Sequence, residues 1–187
     1  MRRRALLLAG ASIPLAGIPL ASHLARAADG KASMKSIKAM QERWRDFLPP
    51  GADVDASLEP LKRDKKHWQG VLDKSRYRIL FKEGTEPPFS SPLNDEKRAG
   101  VFVCAACGLP LFTSEMKFDS GTGWPSFFTA IPGHTATKRD FKLIVPRTEY
   151  HCIRCGGHQG HVFDDGPRPT RERWCNNGLA LEFIASA

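Results

Sequence analysis

Five cysteines carry the most chemistry in this 187-residue chain, and four of them repeat one short pattern. Cys104-Ala105-Ala106-Cys107-Gly108 and Cys152-Ile153-Arg154-Cys155-Gly156 share the same grammar. Two C-x-x-C-G knuckles can present four thiolates tetrahedrally to zinc, and the glycine behind each pair permits a tight turn that brings backbone amides up to sulfur. The competing chemistry is redox: in an oxidising compartment each pair can close as a disulfide or work as a thioredoxin-like dithiol. Two matched knuckles favour zinc. A site closed by four sulfurs leaves no position for water, so such an ion stabilises the fold and does not catalyse.

Removing four ligands leaves Cys175, and an odd cysteine is a reactive thiol, an intermolecular linker or a small apolar filler. Its setting, Arg171-Glu172-Arg173-Trp174-Cys175-Asn176-Asn177-Gly178, argues for reactivity. If this stretch is extended, period two places Arg173, Cys175 and Asn177 on one face. A guanidinium there lowers the thiol pKa, and the asparagine hydrogen-bonds at the reacting atom. A second polar cluster, Gly156-Gly157-His158-Gln159-Gly160-His161-Val162-Phe163-Asp164-Asp165-Gly166-Pro167, holds two imidazoles three apart. These suit proton transfer near neutral pH, or metal ligation if the sulfurs did not already complete one site. In Ser120-Gly121-Thr122-Gly123-Trp124-Pro125-Ser126, the indole of Trp124 is either a pocket wall or a core residue.

The elements that must position these residues are short. Asp64 opens a helix with Trp68, Val71 and Leu72 inward, and Asp73 opens another with Tyr77 and Leu80 inward, closed by Gly84. Beyond Gly84, turn-rich sequence alternates with apolar runs at Val101 to Val103, Leu109 to Phe112, Leu143 to Val145 and Leu179 to Ile184. That is the pattern of antiparallel strands, so the fold is mainly β with short N-terminal helices. Upstream, Arg2, Arg3 and Arg4 precede an almost charge-free stretch from Ala5 to Ala21, and Ala25-Arg26-Ala27 fits a cleavage site. Residues 1–27 read as a leader of twin-arginine type, lacking the usual preceding Ser or Thr. A membrane anchor is the alternative, but the run is short for a span and broken by Pro14 and Pro19. Residues 28–57 form an N-terminal extension, with Met34, Ile37, Met40, Trp44 and Phe47 at roughly helical spacing, and residues 58–187 form the domain.

The formal charge of +8 falls to +4 once the leader's four arginines are set aside. The remaining cations are scattered among acids, which speaks against nucleic acid as a partner. Hydrophobic and charged fractions of 41% and 26% are those of an ordinary globular chain, so class must come from the motifs.

Taken together, Gly84-Thr85-Glu86-Pro87-Pro88-Phe89, the two knuckles, the Asp119 to Phe127 segment, His158 to Pro167 and Arg173 to Asn177 resemble the B-type methionine sulfoxide reductases. The match runs from roughly Leu58 to Ile184, in the family's order. The resemblance implies two antiparallel sheets in a tent-like arrangement, a structural zinc on Cys104, Cys107, Cys152 and Cys155, and selectivity for the R epimer at sulfur. It makes Cys175 the nucleophile, with Trp124 and Phe163 walling the methyl pocket. His161, His158 and Asn177 become the polar network around the sulfoxide, Arg173 the basic neighbour, and His161 the acid. Many members carry a resolving cysteine where this chain has Thr122, so the cycle expected here uses one cysteine. A thioredoxin-like or small-thiol reductant then regenerates it. Substrates are oxidised exported proteins, and the product of cleavage is a periplasmic monomer without stable membrane insertion. The rival classes are a zinc-knuckle binding module, which would tolerate loss of Cys175, and a C-x-x-C disulfide oxidoreductase, which would hold little zinc.

Overall fold

The computed structural model describes residues 33–141 and 146–186, so the leader and the strand expected at Leu143 to Val145 lie outside the described residues. The first helix, α1, covers 33–42 and runs into a 3-10 turn at Trp44–Phe47. Ile37 and Trp44 are buried, and Trp44 sets its edge against the His134 ring at 5.7 Å. Gln41 Nε2 donates to Thr129 Oγ1 at 2.7 Å and to the Ala130 carbonyl at 3.0 Å. The described part of the extension is therefore packed onto the sheets, with Trp44 a member of the main core.

Asp64 caps α2 (Lys65–Val71) by accepting from His67 N, and Asp73 caps α3 (Lys74–Lys82) by accepting from Ser75 N and Arg76 N. Two details differ from the sequence reading. Val71 points outward, because the chain leaves α2 in extended conformation at Leu72 and Leu72 takes the inward place. Glu83, at φ 49°, supplies the left-handed residue that ends α3, a role expected of Gly84. Gly84 is needed one step later, where its N bonds the Arg78 carbonyl and a Cβ would meet that oxygen at 3.0 Å.

Among the described residues nine strands follow: β1 (Gly100–Cys104), β2 (Pro110–Thr113), β3 (Lys117–Phe118), β4 (Ser126–Phe127), β5 (Thr135–Asp140), β6 (Arg147–Cys152), β7 (His158–Phe163), β8 (Arg173–Asn176) and β9 (Leu181–Ala185). They form two antiparallel sheets, ordered β2-β1-β9 and β3-β4-β8-β7-β6-β5, as the mainly β reading requires. The last strand starts later than its apolar run, because Gly178–Ala180 form a 3-10 turn. The carboxylate of Glu86 accepts from Gly178 N and Leu179 N, which holds that turn. Phe102 and Phe112 of the small sheet meet Phe127 of the large one, with Phe112 and Phe127 stacked at 4.0 Å. All three rings are fully buried, each contributing roughly 1.5–3 kcal/mol of transfer free energy. This aromatic seam fixes the large sheet, whose opposite face carries the polar residues.

Candidate active site and cysteine cluster

Strand register puts the chemistry in one row. Ser126 of β4 opposes Cys175 of β8, Cys175 opposes His161 of β7, His161 opposes Glu149 of β6, and Glu149 opposes Lys138 of β5. Directly opposed residues project to the same face, so this row is a polar stripe across the sheet. The neighbouring pair on that face is Phe163 and Arg173. Arg173 holds Asp165 through two bonds of 2.8 and 2.9 Å, and its guanidinium lies 4.3 Å from the Phe163 ring centre.

His158 reaches the same face only because of a β-bulge. Simple alternation would send residues 158 and 161 to opposite sides of β7. The register slips between Tyr150 and His151, so that β7 carries one extra residue there, and His158 comes to lie opposite His151. The two imidazoles stand 5.5 Å apart. His158 Nδ1 donates to Glu149 Oε1 at 2.7 Å, and His161 Nε2 donates to Asp140 Oδ2 at 2.8 Å. Each ring is thus oriented by a carboxylate, and Asp140 is in turn paired with Arg147 at 2.8 Å. Burial opposes ionisation of Glu149, yet contacts with His151 and His158 and the nearby Lys138 ammonium hold it at about 2. Burial lowers His161 below its usual value, against the pull of Asp140.

At Cys175 two effects compete. Burial raises its pKa above the ordinary thiol value, while the Arg173 charge and hydrogen bonds from Arg173 and Thr122 act downward. The guanidinium works in the direction expected from the sequence, but burial outweighs it. Strand β8 ends at Asn176, and the Asn177 side chain accepts from Glu86 N at 3.0 Å and donates to the Gln159 carbonyl at 2.9 Å. It clasps the segment carrying Glu86 to β7. Trp124 is half-buried and donates from Nε1 to the Glu86 carbonyl at 3.1 Å. Glu149, Asp140 and Asp165 were not singled out from the sequence, and spacing offers no signal for them. The two histidines find their carboxylates on β5 and β6, and Asp165 meets Arg173 across a loop.

The knuckles are two copies of one turn. Gly108 N bonds the Cys104 carbonyl at 2.8 Å and Gly156 N the Cys152 carbonyl at 2.9 Å, with both glycines at φ 73°. A side chain is strained at that φ, which explains the repeated glycine. The four Sγ atoms lie within 4.8 Å of one another. Their shortest contacts run between knuckles, Cys104 to Cys155 and Cys107 to Cys152, both 3.6 Å. That is a cage and not two separate dithiols. Gly157 N donates to Cys155 Sγ and Gln159 Nε2 to Cys104 Sγ, both at 3.4 Å, as amides around a ligated thiolate do. The contacts with Cys107, Cys152 and Cys155 push Cys104 well above its ordinary value, and those with Cys104, Cys152 and Cys155 pull Cys107 well below. Four sulfurs so close cannot all ionise without a cation between them, and the donor set fits a structural zinc.

A lone cysteine aligned with two carboxylate-oriented histidines, separate from a four-cysteine cluster that could hold a metal ion, is an arrangement suited to oxidoreductase chemistry on sulfur. A family model, the SelR domain, matches residues 72–185. The peptide methionine sulfoxide reductase MsrB of Hahella chejuensis is 45% identical over 127 residues, covering 67% of this chain and 91% of the relative. That of Methanosarcina barkeri is 46% identical over 124 residues, covering 66% and 87%. That of Caulobacter vibrioides is 45% identical over 126 residues, covering 67% and 79%. The chain belongs to the B-type methionine sulfoxide reductase family, a family of oxidoreductases.

Proposed function

We propose that this chain reduces the R epimer of methionine sulfoxide, preferentially within polypeptides, using Cys175 as the nucleophile. The observation that carries this reading is the row Ser126, Cys175, His161, which sets the one cysteine outside the cluster against an oriented imidazole. On substrate binding the Cys175 proton passes to His161 and the sulfur attacks the sulfoxide sulfur, forming a sulfur–sulfur bond, while His161 hands that proton to the sulfoxide oxygen. The hydroxyl then passes from the substrate sulfur to Cys175 as the sulfur–sulfur and substrate S–O bonds break, so methionine leaves with two more electrons and Cys175 is left as sulfenic acid. A first external thiol attacks that sulfur, releasing water and leaving a mixed disulfide. A second thiol releases Cys175 as thiol and departs as the oxidised reductant. Thr122 stands where a resolving cysteine would stand, and the other four cysteines would hold zinc, so no internal thiol is assigned to the cycle. Cys104, Cys107, Cys152 and Cys155 would bind the ion for stability alone.

The preference for polypeptides is supported by what borders Trp124. A cavity of about 440 Å³ lies there, lined by Phe89, Asn94, Lys117, Phe118 and Trp124 among others. Phe89 is 72% exposed and held at φ 60°, with its N bonded to the Gly123 carbonyl at 2.7 Å. An aromatic ring kept strained and exposed at the rim suits a residue flanking the oxidised methionine. The test is turnover of each sulfoxide epimer, free and in a peptide, with a dithiol supplied. Only the R epimer should be consumed, the peptide faster, and Phe89→Ala should lower kcat/KM for the peptide by about tenfold while sparing the free amino acid. Consumption of the S epimer would refute the stereochemical assignment.

We also propose export of the folded, metal-loaded chain, supported by the arginine-led N-terminus. A chain translocated with its thiolates ligated meets the oxidising compartment already protected. Replacing Arg2, Arg3 and Arg4 by lysine should leave the protein in the cytoplasmic fraction with its leader uncleaved. Normal processing in that variant would count against the twin-arginine route. Among the described residues no helix is long and apolar enough to cross a membrane.

A further inference from the structure

One buried acid, Glu86, has every polar atom engaged at the borders of the site, and the reaction above gives it no part. Its backbone N donates to Asn177 Oδ1 at 3.0 Å, and its carbonyl accepts from Trp124 Nε1 at 3.1 Å. Its carboxylate accepts from Gly178 N and from Leu179 N, the latter at 2.9 Å. Those two N–H groups open the 3-10 turn Gly178–Ala180, directly behind the strand of Cys175, and have no partner within the turn. Asn177 stands where a residue would cap that turn with its own side chain, yet it makes no such bond. The two residues exchange duties instead. Asn177 takes the N–H of Glu86, and Glu86 caps the turn that follows Asn177, a reciprocal pairing like a capping box closed between distant segments. A Cβ on Gly178 would meet Ser91 Oγ at 1.9 Å and Glu86 Oε1 at 3.2 Å, so glycine is what lets the Glu86 segment lie this close. Residue 86 is therefore fixed on both sides, and so is the carbonyl that receives the indole. That indole belongs beside the thiol, because Asn176 N bonds the Pro125 carbonyl at 2.9 Å and Ser126 opposes Cys175.

We propose that Glu86 is a positioning residue for the methyl pocket: its anchored carbonyl holds the Trp124 ring, and the place of that ring decides how large a group on the sulfoxide sulfur is admitted. The inference deepens the reading of Trp124 as a pocket wall and rests on it. The carboxylate is specifically required. An amide at this position has one acceptor oxygen, and its NH2 would face a second backbone N–H with nothing to offer. Leaving that N–H unpaired in a buried place is costly, so the segment shifts and carries the carbonyl with it. Glu86 acts on the substrate only through the indole, which gives its removal a particular signature.

The experiment compares kcat/KM for free (R)-methionine sulfoxide with that for its S-ethyl homologue, using the intact chain with a dithiol supplied. The parent should favour the methyl compound by about tenfold or more, the scale on which a close pocket rejects one added methylene. Glu86→Gln should lower that ratio by about fivefold, and Trp124→Phe, which removes the indole N–H, by a similar factor. The double variant should fall no further than Trp124→Phe alone, because the two side chains act as one unit. A general loosening of the fold would slow both substrates together and leave the ratio where it was. Glu86→Asp keeps both oxygens on a shorter arm and should give an intermediate ratio, which keeps the test open should Glu86→Gln fail to fold. A second readout needs no turnover. The Trp124 indole N–H, identified as the resonance missing from Trp124→Phe, should exchange with water about tenfold faster in Glu86→Gln, while the Trp44 indole keeps its rate. An unmoved ratio or exchange rate in Glu86→Gln, or effects that multiply in the double variant, overturns the role of Glu86. A Trp124→Phe ratio equal to the parent's would remove Trp124 from the pocket wall and the proposal with it. A parent that reduces neither compound would defeat the reduction itself, and the exchange rate would still decide whether Glu86 holds the ring.

Discussion

Cys175→Ser is expected to lose methionine sulfoxide turnover by a thousandfold or more, about the scale on which removal of a nucleophile acts, while its melting temperature stays within a few degrees of the parent. The substitution exchanges one small side chain for another at a half-buried site, so packing changes little. The chemistry changes completely. A serine hydroxyl remains protonated where a thiol can ionise, and oxygen cannot take up the sulfoxide oxygen as sulfur does in forming a sulfenic acid. The arrangement of the row sharpens the expectation, since His161 and Arg173 are placed to serve a group that becomes anionic and have nothing to stabilise beside a neutral hydroxyl. The measurement is turnover with dithiol in excess, paired with mass spectrometry of the parent under limiting reductant. A dione that traps sulfenic acid should mark Cys175 and no other cysteine. A disulfide between Cys175 and a knuckle cysteine during turnover would contradict the one-cysteine cycle.

The knuckles were legible because their geometry is local. Each is closed by a bond spanning four residues and a glycine at positive φ, so residue type and spacing carry nearly all of the information. The strand around Cys175 was legible for the same reason as far as Asn176. Strand β8 ends at Asn176, and the partners of the Asn177 amide, Glu86 N and the Gln159 carbonyl, are far away in sequence and left no mark in the spacing. The two histidines illustrate the opposite limit. Three residues apart on a strand they should diverge, and only a one-residue slip between β6 and β7 reunites them. Nothing in the sequence of β7 announces that slip, because a bulge belongs to a pair of strands. Close approach leaves a trace in hindsight: a Cβ on Gly160 would meet the Cys175 carbonyl at 1.9 Å, so glycine alone permits β7 and β8 to pair at the site. Thr122 was noticed for the cysteine it lacks, and the structure sets its hydroxyl 2.8 Å from that of Ser120.

Removing the metal is expected to unfold the domain outright. Cys104 ends a strand of the small sheet and Cys152 ends a strand of the large one, so the ion would tie the two layers at the edge of their common core. Both residues are buried, and the surrounding structure supplies amide donors to the sulfurs. Without a cation the thiolates must take up protons and crowd one another at 3.6 Å. A structural zinc site contributes on the order of 10–16 kcal/mol in small peptides. A domain of this size has a net stability of about 5–15 kcal/mol, so loss of the ion removes most or all of it. Purified protein should hold one zinc per chain by elemental analysis. Cys152→Ala should hold none and lack a cooperative melting transition at ambient temperature, and Cys175→Ser should keep full metal content. Turnover in the Cys152→Ala protein should vanish together with its near-ultraviolet circular dichroism, because β6 carries both the metal ligand Cys152 and the carboxylate that orients His158. A metal-free chain that melts at the parent's temperature would show that the four sulfurs pack without an ion, and would withdraw the metal from the fold.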